Sequence, residues 1–158
     1  MDMETSARIY NEYADVVFRI AFLYMKNGPE SEDVVQDTFV QLLKTQPVFA
    51  TPEKAKAWLI VTASNICKSR LRRFYRKDES LDIHENLAAP EQPINNDVTR
   101  AVMELPDRYK TAVYLYYYIG YTSVEIAQIL GRKPETIRTW LSRARAELKQ
   151  KLGGEYNV

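Results

Sequence analysis

The chain has 158 residues, of which 46% are hydrophobic and 27% charged, and its formal net charge is +1. This apolar content is ample for a buried core, which excludes disorder along the whole chain. The single cysteine, Cys67, excludes an internal disulfide framework and a cysteine-based zinc cluster, while the few glycines and the helical spacing of apolar residues favour an all-α protein.

The N-terminal segment carries acids where a secretory signal peptide needs a basic region followed by an apolar one. Apolar runs such as residues 57–63 fall far short of the roughly 20 residues that span a bilayer. We therefore expect a cytoplasmic protein without membrane insertion.

Three amphipathic helices are predicted in the N-terminal half. The first runs from Ile9 and ends at residues 27–29 (Asn-Gly-Pro), where glycine can cap a helix and proline cannot continue it. The second begins between Pro29 and Ser31, and the third runs from about Lys54 to Arg73 or beyond, with Trp58 in its core. The predicted core stripe of the second helix consists of Val35, Phe39, Leu42 and Leu43.

Residues 78–96 have a different composition from the segments around them. They contain two prolines, many acids and no sustained apolar period, which predicts a flexible acidic linker. We therefore predict two small helical domains, 1–77 and 97–152, followed by a short tail at 153–158. The one histidine, His84, lies in the linker, where we interpret it as a solvated loop residue.

The C-terminal half contains a helix-turn-helix pattern. Pro106 opens a helix that ends at Gly120, and Thr122 and Glu125 have the spacing of a capping box that fixes the start of a short helix. A glycine turn follows, and Pro134 starts the last helix.

The last helix has one apolar and one polar face. At 100° per residue, a narrow arc predicted to face the core holds Ile137, Leu141, Ala144 and Leu148. The opposite arc holds Glu135, Arg138, Thr139, Ser142 and Arg143. Cations and hydroxyls near the N-terminal end are what a recognition helix presents to the DNA major groove. We interpret the later Lys149 and Lys151 as a solvated helix end.

Charge is segregated along the chain. Residues 68–77 hold six cations and no acid, residues 78–97 hold six acids and no Lys or Arg, and residues 132–151 hold seven bases against two acids. Two basic segments separated by an acidic one indicate a polyanion partner that is contacted at two places. In the first basic segment, Phe74 and Tyr75 lie among the cations, a combination typical of single-stranded nucleic-acid binding, although a solvated helix end has the same charge pattern.

Three segments, in order, resemble the sigma-70 family of bacterial RNA polymerase sigma factors, in particular its small two-domain extracytoplasmic-function (ECF) group. Family region 2.2 resembles SEDVVQDTFVQLLK (31–44), regions 2.3 and 2.4 resemble AKAWLIVTASNICKSRLRR (55–73), and region 4 resembles residues 104–152. The resemblance implies a transcription initiation factor that binds core RNA polymerase and promoter DNA, needs no cofactor or metal, and performs no catalysis of its own.

The resemblance also implies which residues act. Docking on the β′ clamp coiled coil is assigned to Asp33, Gln36 and Asp37; without the resemblance, the two acids fit a solvated helix face equally well. Recognition and melting of the −10 element is assigned to Asn65, Lys68, Ser69, Arg72, Arg73, Phe74 and Tyr75. Recognition of the −35 element is assigned to the polar arc of the last helix. The polymerase β flap and an anti-sigma factor are further implied partners.

Three positions depart from the family pattern. Ser69 stands where many members have Asp or Asn in a base-capturing loop, Trp140 stands where Arg is common, and Lys133 replaces the common Ser before the recognition helix. The last change removes an N-cap contribution of about 1 kcal/mol.

Two other functions fit parts of the same sequence. A freestanding helix-turn-helix regulator explains residues 122–151 but gives the acidic second helix and residues 68–77 no purpose. A helical adaptor that binds an acidic protein predicts weak salt dependence of nucleic-acid binding, whereas phosphate contacts predict a steep one. An enzyme is the least supported, because no nucleophile constellation, paired carboxylates or phosphate-binding glycine loop is present.

Overall fold

The computed structural model describes residues 2–76 and 97–153, in which every regular element is a helix. The chain divides into two compact units, Met1–Pro93 and Ile94–Val158, here called unit 1 and unit 2. The all-α fold of two small helical domains is confirmed. The predicted linker with His84, together with Lys77 and residues 154–158 of the predicted tail, lies outside the described residues.

Unit 1 is a three-helix bundle in which each helix contacts the other two. Its helices are α1 (Met3–Met25), α2 (Gly28–Thr45) and α3 (Pro52–Arg76). The fully buried side chains at its centre include Val17, Ile20, Val34, Leu42, Leu59, Ile60 and Cys67. The Tyr13 hydroxyl on α1 donates to the carbonyl of Pro52 at 3.3 Å, which ties the start of α3 to the bundle.

The start of α1 and the junction with α2 differ from the prediction. Helix α1 begins at Met3 rather than Ile9, because the Asp2 carboxylate accepts from the Thr5 amide at 2.7 Å and caps the helix. Its last residue is Met25, and the C-cap is Lys26, whose φ of 67° is left-handed, rather than Gly28. Gly28 instead opens α2, which is capped by the Asn27 side chain accepting from the Glu30 amide at 2.9 Å.

The core stripe of α2 is also shifted from the predicted one. Val35, Phe39 and Leu42 are buried as predicted, but Leu43 is 46% exposed, and Val34 is fully buried in its place. Two further corrections concern α3: Trp58 is half-buried beside Phe49 rather than fully in the core, and Ser69 lies inside the helix rather than in a loop.

Unit 2 is built around its last helix. Helices α4 (Asp97–Met103), α5 (Asp107–Val113), α6 (Ser123–Leu130) and α7 (Pro134–Lys151) follow one another, and α7 contacts the other three. Helix α5 continues into a π-helical turn, Tyr114–Ile119, that ends at Gly120 with a φ of 96°. The predicted arc of α7 is confirmed, since the side chains that are at most 2% exposed include Ile137, Leu141, Ala144 and Leu148.

Candidate functional site

The polar arc of α7 is fully presented to solvent. All five of its predicted residues are exposed, namely Glu135, Arg138, Thr139, Ser142 and Arg143. Glu135 and Arg138 lie 3.6 Å apart, a loose pair between two well-exposed side chains that leaves the guanidinium able to bind another group. The arc thus offers a fork-shaped cation and two hydroxyls in the first half of the helix.

Local capping fixes where α6 begins and where it ends. The predicted capping box is present: the Glu125 amide donates to the Thr122 hydroxyl at 3.1 Å and the Thr122 amide donates to the Glu125 carboxylate at 2.9 Å. Gly131, with a φ of 67°, then closes α6. Lys133 makes no side-chain cap to α7, so the first amides of that helix point outward without a side-chain acceptor from this position.

A cationic cluster beside α7 was missed by the sequence reasoning. The Arg108 guanidinium lies 5.1 Å from the ring centroid of Tyr109 and donates to its hydroxyl at 3.5 Å. The hydrogen bond from Arg108, and a second one from Arg143, lower the pKa of the Tyr109 hydroxyl. Because Arg143 belongs to the polar arc, Arg108 extends the basic surface of α7 onto α5.

Other cations of α7 have structural partners. Arg145 donates to the Tyr117 hydroxyl at 3.1 Å, and Lys151 pairs with Glu104 of the turn after α4 at 3.2 Å. These contacts join the C-terminal half of α7 to the elements before it. Among the cations of residues 132–151, Arg138 and Arg143 are therefore exposed in the N-terminal half of α7, whereas Arg145 and Lys151 make surface contacts within unit 2.

The basic end of α3 presents one polar stripe, in which Asn65, Arg72 and Arg73 are exposed and Lys68 and Ser69 are half-buried. Asn65, Lys68, Ser69, Arg72 and Arg73 occur at helical spacing and share one face. Tyr75, at the edge of this stripe, is 61% exposed. Phe74 departs from the others: it is half-buried and lies one turn after Arg70, on the other side of the helix.

Arg70 does not belong to this polar stripe. Its guanidinium bridges two carboxylates of α2, with Asp37 at 2.5 Å and Glu30 at 3.3 Å. Burial lowers the pKa of Arg70, but the hydrogen bond from Arg70 to Asp37 and the charges of Asp37, Glu30 and Asp33 raise it by more. One of the cations of residues 68–77 is therefore an internal link between α3 and α2.

The acidic residues of α2 continue into an apolar stripe. Asp33, Gln36 and Asp37 are exposed, as predicted for a solvent-facing helix surface. Val40 and Leu43, each 46% exposed, follow at helical spacing on the same side. The sequence reasoning missed this apolar half because it assigned Leu43 to the core.

In the part of the chain that the structure describes, none of the helices combines the length and the apolar character that crossing a bilayer requires.

Comparison with known proteins matches segments of both units to one family. The family model described as Sigma-70 region 2 matches residues 9–77, and that described as Sigma-70, region 4 matches residues 95–148. The chain is 30% identical over 131 residues to the RNA polymerase sigma factor SigV of Bacillus subtilis, covering 80% of this chain and 78% of SigV. It is 26% identical over 169 residues to the ECF RNA polymerase sigma factor SigW of the same organism, covering 96% and 90% of the two chains.

Two solved structures have the same fold. The sigma factor RpoE of Bartonella quintana, solved with the anti-sigma factor NepR, superposes with a TM-score of 0.73 at 24% identity, covering 95% of this chain and 98% of RpoE. CnrH, solved with the cytosolic domain of CnrY, superposes with a TM-score of 0.68 at 21% identity, covering 98% of this chain and 92% of CnrH.

Proposed function

This chain belongs to the ECF group of the sigma-70 family of RNA polymerase sigma factors, which direct the polymerase to promoters, and from that premise we propose that unit 2 reads the −35 element while α3 of unit 1 recognises and opens the −10 element. Synthesis of RNA is then the chemistry of the polymerase, and this chain supplies promoter choice. We expect it to act in the cytoplasm, together with the polymerase and the chromosome.

The observation that carries the proposal is the division of α7 into a buried and an exposed face. The apolar arc holds the helix against unit 2, and the exposed arc presents Arg138, Thr139 and Ser142 near the end that would enter a major groove first. Arg138 suits the paired acceptors of a guanine, and the two hydroxyls can bind base edges or phosphates. Helix α7 is therefore the proposed −35 reader.

Flanking cations supply the affinity that does not depend on sequence. Arg108 lies over the Tyr109 ring and donates to its hydroxyl, and Arg143 also acts to lower the pKa of that hydroxyl. Two cations at the edge of a recognition helix suit phosphates of one strand. We add Arg108 to the residues proposed for promoter binding.

The stripe on α3 suits a strand that has left the duplex. Its cations, Arg72 and Arg73, are exposed and can follow a phosphate backbone, while the exposed ring of Tyr75 offers a surface on which an unpaired base can stack. Strand opening is favoured because stacking on the Tyr75 ring can form only with a base that has left the duplex. Phe74 is half-buried on the other side of α3. We therefore expect it to contribute more to packing within unit 1 than to stacking on a base.

Helix α2 is the proposed polymerase-docking surface. Its polar part consists of Asp33, Gln36 and Asp37, and its apolar part of Val40 and Leu43. An interface that buries the apolar pair inside a polar rim has the usual anatomy of a specific protein contact. We propose that the β′ clamp coiled coil covers this stripe, and that the half-exposed Tyr117 and Tyr118 of unit 2 contact the β flap.

An anti-sigma factor is a further proposed partner. The RpoE structure contains such a protein, and one that covered Val40 and Leu43 here would block polymerase docking by occupying the same stripe. Failure to recover any dedicated inhibitor in a pull-down from uninduced cells would count against this part of the proposal.

The test is to mix the purified chain with bacterial core polymerase and measure co-elution, then sequence the transcripts initiated from a pool of genomic fragments. We expect initiation at fragments that share two spaced elements. The variant Arg138→Ala should relax the base preference in the upstream element and leave the downstream element unchanged. If no complex forms while the chain alone binds duplex DNA tightly, the protein is a freestanding regulator instead.

A further inference from the structure

The turn between α6 and α7 carries an arginine that lies against an aromatic ring. The guanidinium carbon of Arg132 is 5.5 Å from the ring centroid of Trp140, within the range of a cation–π contact. Arg132 is exposed, and Trp140 is half-buried on α7. The ring therefore fixes one side of the guanidinium while the other side is open to solvent.

Closure of the turn does not require the Arg132 side chain. The backbone amide of Arg132 donates to the carbonyl of Ala127 at 2.9 Å, and the left-handed Gly131 reverses the chain. A cation just beyond α6 is also favoured by the dipole of that helix, but this attraction needs only a charge and no aromatic partner. The contact with Trp140 thus fixes a direction for the guanidinium that the turn itself does not demand.

The position of Trp140 extends the cationic cluster described above. Trp140 precedes Arg143 by three residues, so the two side chains are neighbours on the surface of α7. Arg108 lies over the Tyr109 ring, and Arg132 lies over the Trp140 ring. Two arginines that each lie against an aromatic ring, together with the exposed Arg143, therefore accompany α7.

An arginine held in this way is suited to bind phosphate. A planar guanidinium offers its donors in a fixed fork, and holding it against a ring reduces the freedom that it would lose on binding. The turn before a recognition helix also lies beside the groove that the helix enters, where the phosphate backbone runs. Arg132 has the charge, the exposure and the fixed orientation for such a contact.

We propose that Arg132 contacts a promoter phosphate beside the upstream element and that Trp140 is its positioning residue. The proposal rests on the proposed DNA-binding function of unit 2, and it assigns Trp140 a role in holding Arg132 rather than in reading a base. The contact contributes equally to all sequences, because a phosphate carries no sequence information.

The experiment uses the holoenzyme formed with bacterial core polymerase and a promoter fragment on which the wild type initiates. Promoter affinity is measured between about 50 and 200 mM salt, and the slope of log affinity against log salt is compared among variants. Arg132→Ala should lower the magnitude of the slope by about 0.9, the value for one lost phosphate contact. Trp140→Leu should lower it partly, and Trp140→Phe, which keeps a ring, should stay near the wild type.

A double variant tests the positioning role. If Trp140 acts through Arg132, adding Trp140→Leu to Arg132→Ala should cause no further loss of promoter affinity. Lys149→Ala is the matched control, since it removes one exposed cation from the far end of α7 and should retain the wild-type slope. Circular dichroism of each variant establishes that unit 2 is folded.

Each other outcome overturns a defined part of the proposal. If wild-type holoenzyme binds the promoter and Arg132→Ala retains its slope, the phosphate contact is wrong while the sigma function stands. If Lys149→Ala lowers the salt slope as much as Arg132→Ala does, the slope reports net charge and not a phosphate contact of Arg132. If the losses of promoter affinity add in the double variant, Trp140 does not act through Arg132 and its role is structural. If the wild type forms no holoenzyme, the function on which the inference rests has itself failed.

Discussion

Arg70 of α3 donates to the carboxylate of Asp37 on α2, 33 residues earlier in the chain, at a distance of 2.5 Å. Asp37 lies on the proposed polymerase-docking stripe, and Arg70 stands in sequence between Lys68 and Arg72, two of the residues proposed to hold the −10 element. One ion pair thus connects the helices that carry the two proposed surfaces of unit 1. A change in this pair is expected to affect both surfaces.

Replacing Arg70 by Gln should lower the free energy of unfolding of unit 1. Arg70 is mostly buried, but Glu30 and Asp37 are partly exposed, so solvent screening limits the expected loss to about 1 kcal/mol. Urea unfolding followed by circular dichroism measures it. Arg72→Gln, which removes an exposed cation two residues after Arg70, should change the free energy of unfolding by less than about 0.5 kcal/mol. Equal losses in the two variants would show that the ion pair contributes nothing specific.

Replacing Leu43 by Gln should weaken co-elution with core polymerase without unfolding unit 1. Leu43 is 46% exposed, so its substitution should change the free energy of unfolding by no more than about 0.5 kcal/mol. Its loss from an interface core should nevertheless lower affinity by about tenfold or more. Val124→Gln, which removes a comparably exposed aliphatic side chain from unit 2, is the control and should co-elute normally. If Leu43→Gln binds as the wild type does, the apolar half of the stripe lies outside the contact.

The architecture of unit 2 could be predicted because its signals are local. The capping box depends on two residues three apart, and the buried arc of α7 is a strict helical period of apolar residues. Such features do not require knowledge of what packs against them. The sequence likewise predicted that Lys133 cannot cap α7 as a serine would, and the structure has no side-chain cap at this position.

The errors in unit 1 come from contacts that the pattern does not encode. Ser31 and Thr38 are buried in the α2 stripe because their hydroxyls donate to the carbonyls of Asn27 and Val34, four residues earlier, at 2.6 and 2.7 Å. Because Ser31 and Thr38 are polar, the hydrophobic pattern did not place them on the buried face of α2. The predicted core stripe therefore included Leu43 instead. Similarly, nothing in residues 68–77 distinguishes Arg70 from its neighbours, because its partners lie on another helix.

Replacing Tyr13 by Phe should change how stability depends on alkaline pH. Burial, followed by the charges of Glu12 and Glu53, raises the pKa of Tyr13 above its ordinary value of 10.0. Unfolded Tyr13 therefore loses its proton at a lower pH than folded Tyr13, so the stability that it contributes is present below pH 10 and lost as pH rises above it.

The measurement is the free energy of unfolding of both proteins between pH 8 and about pH 11. Near neutral pH the variant should be slightly less stable, by about 0.5 to 1 kcal/mol, because the hydrogen bond to Pro52 is lost. As pH rises past 10, wild-type stability should fall more steeply and the two curves should converge. Parallel curves would mean that Tyr13 titrates alike in the folded and unfolded chains.

Replacing Lys133 by Ser should stabilise unit 2. Lys133 has the extended backbone of an N-cap residue, with φ of −79° and ψ of 147°, but it gives α7 no side-chain hydrogen bond. A serine hydroxyl at this position can accept from an amide of the first turn, which is worth about 1 kcal/mol. Lys133→Ala removes the same charge without adding a cap. The difference between the thermal unfolding midpoints of the two variants therefore measures the contribution of the cap. We expect the serine variant alone to exceed the wild type in stability. If both variants rise equally, removal of a cation from the positive end of the α7 dipole is the cause, and the missing cap is not what limits the stability of this helix.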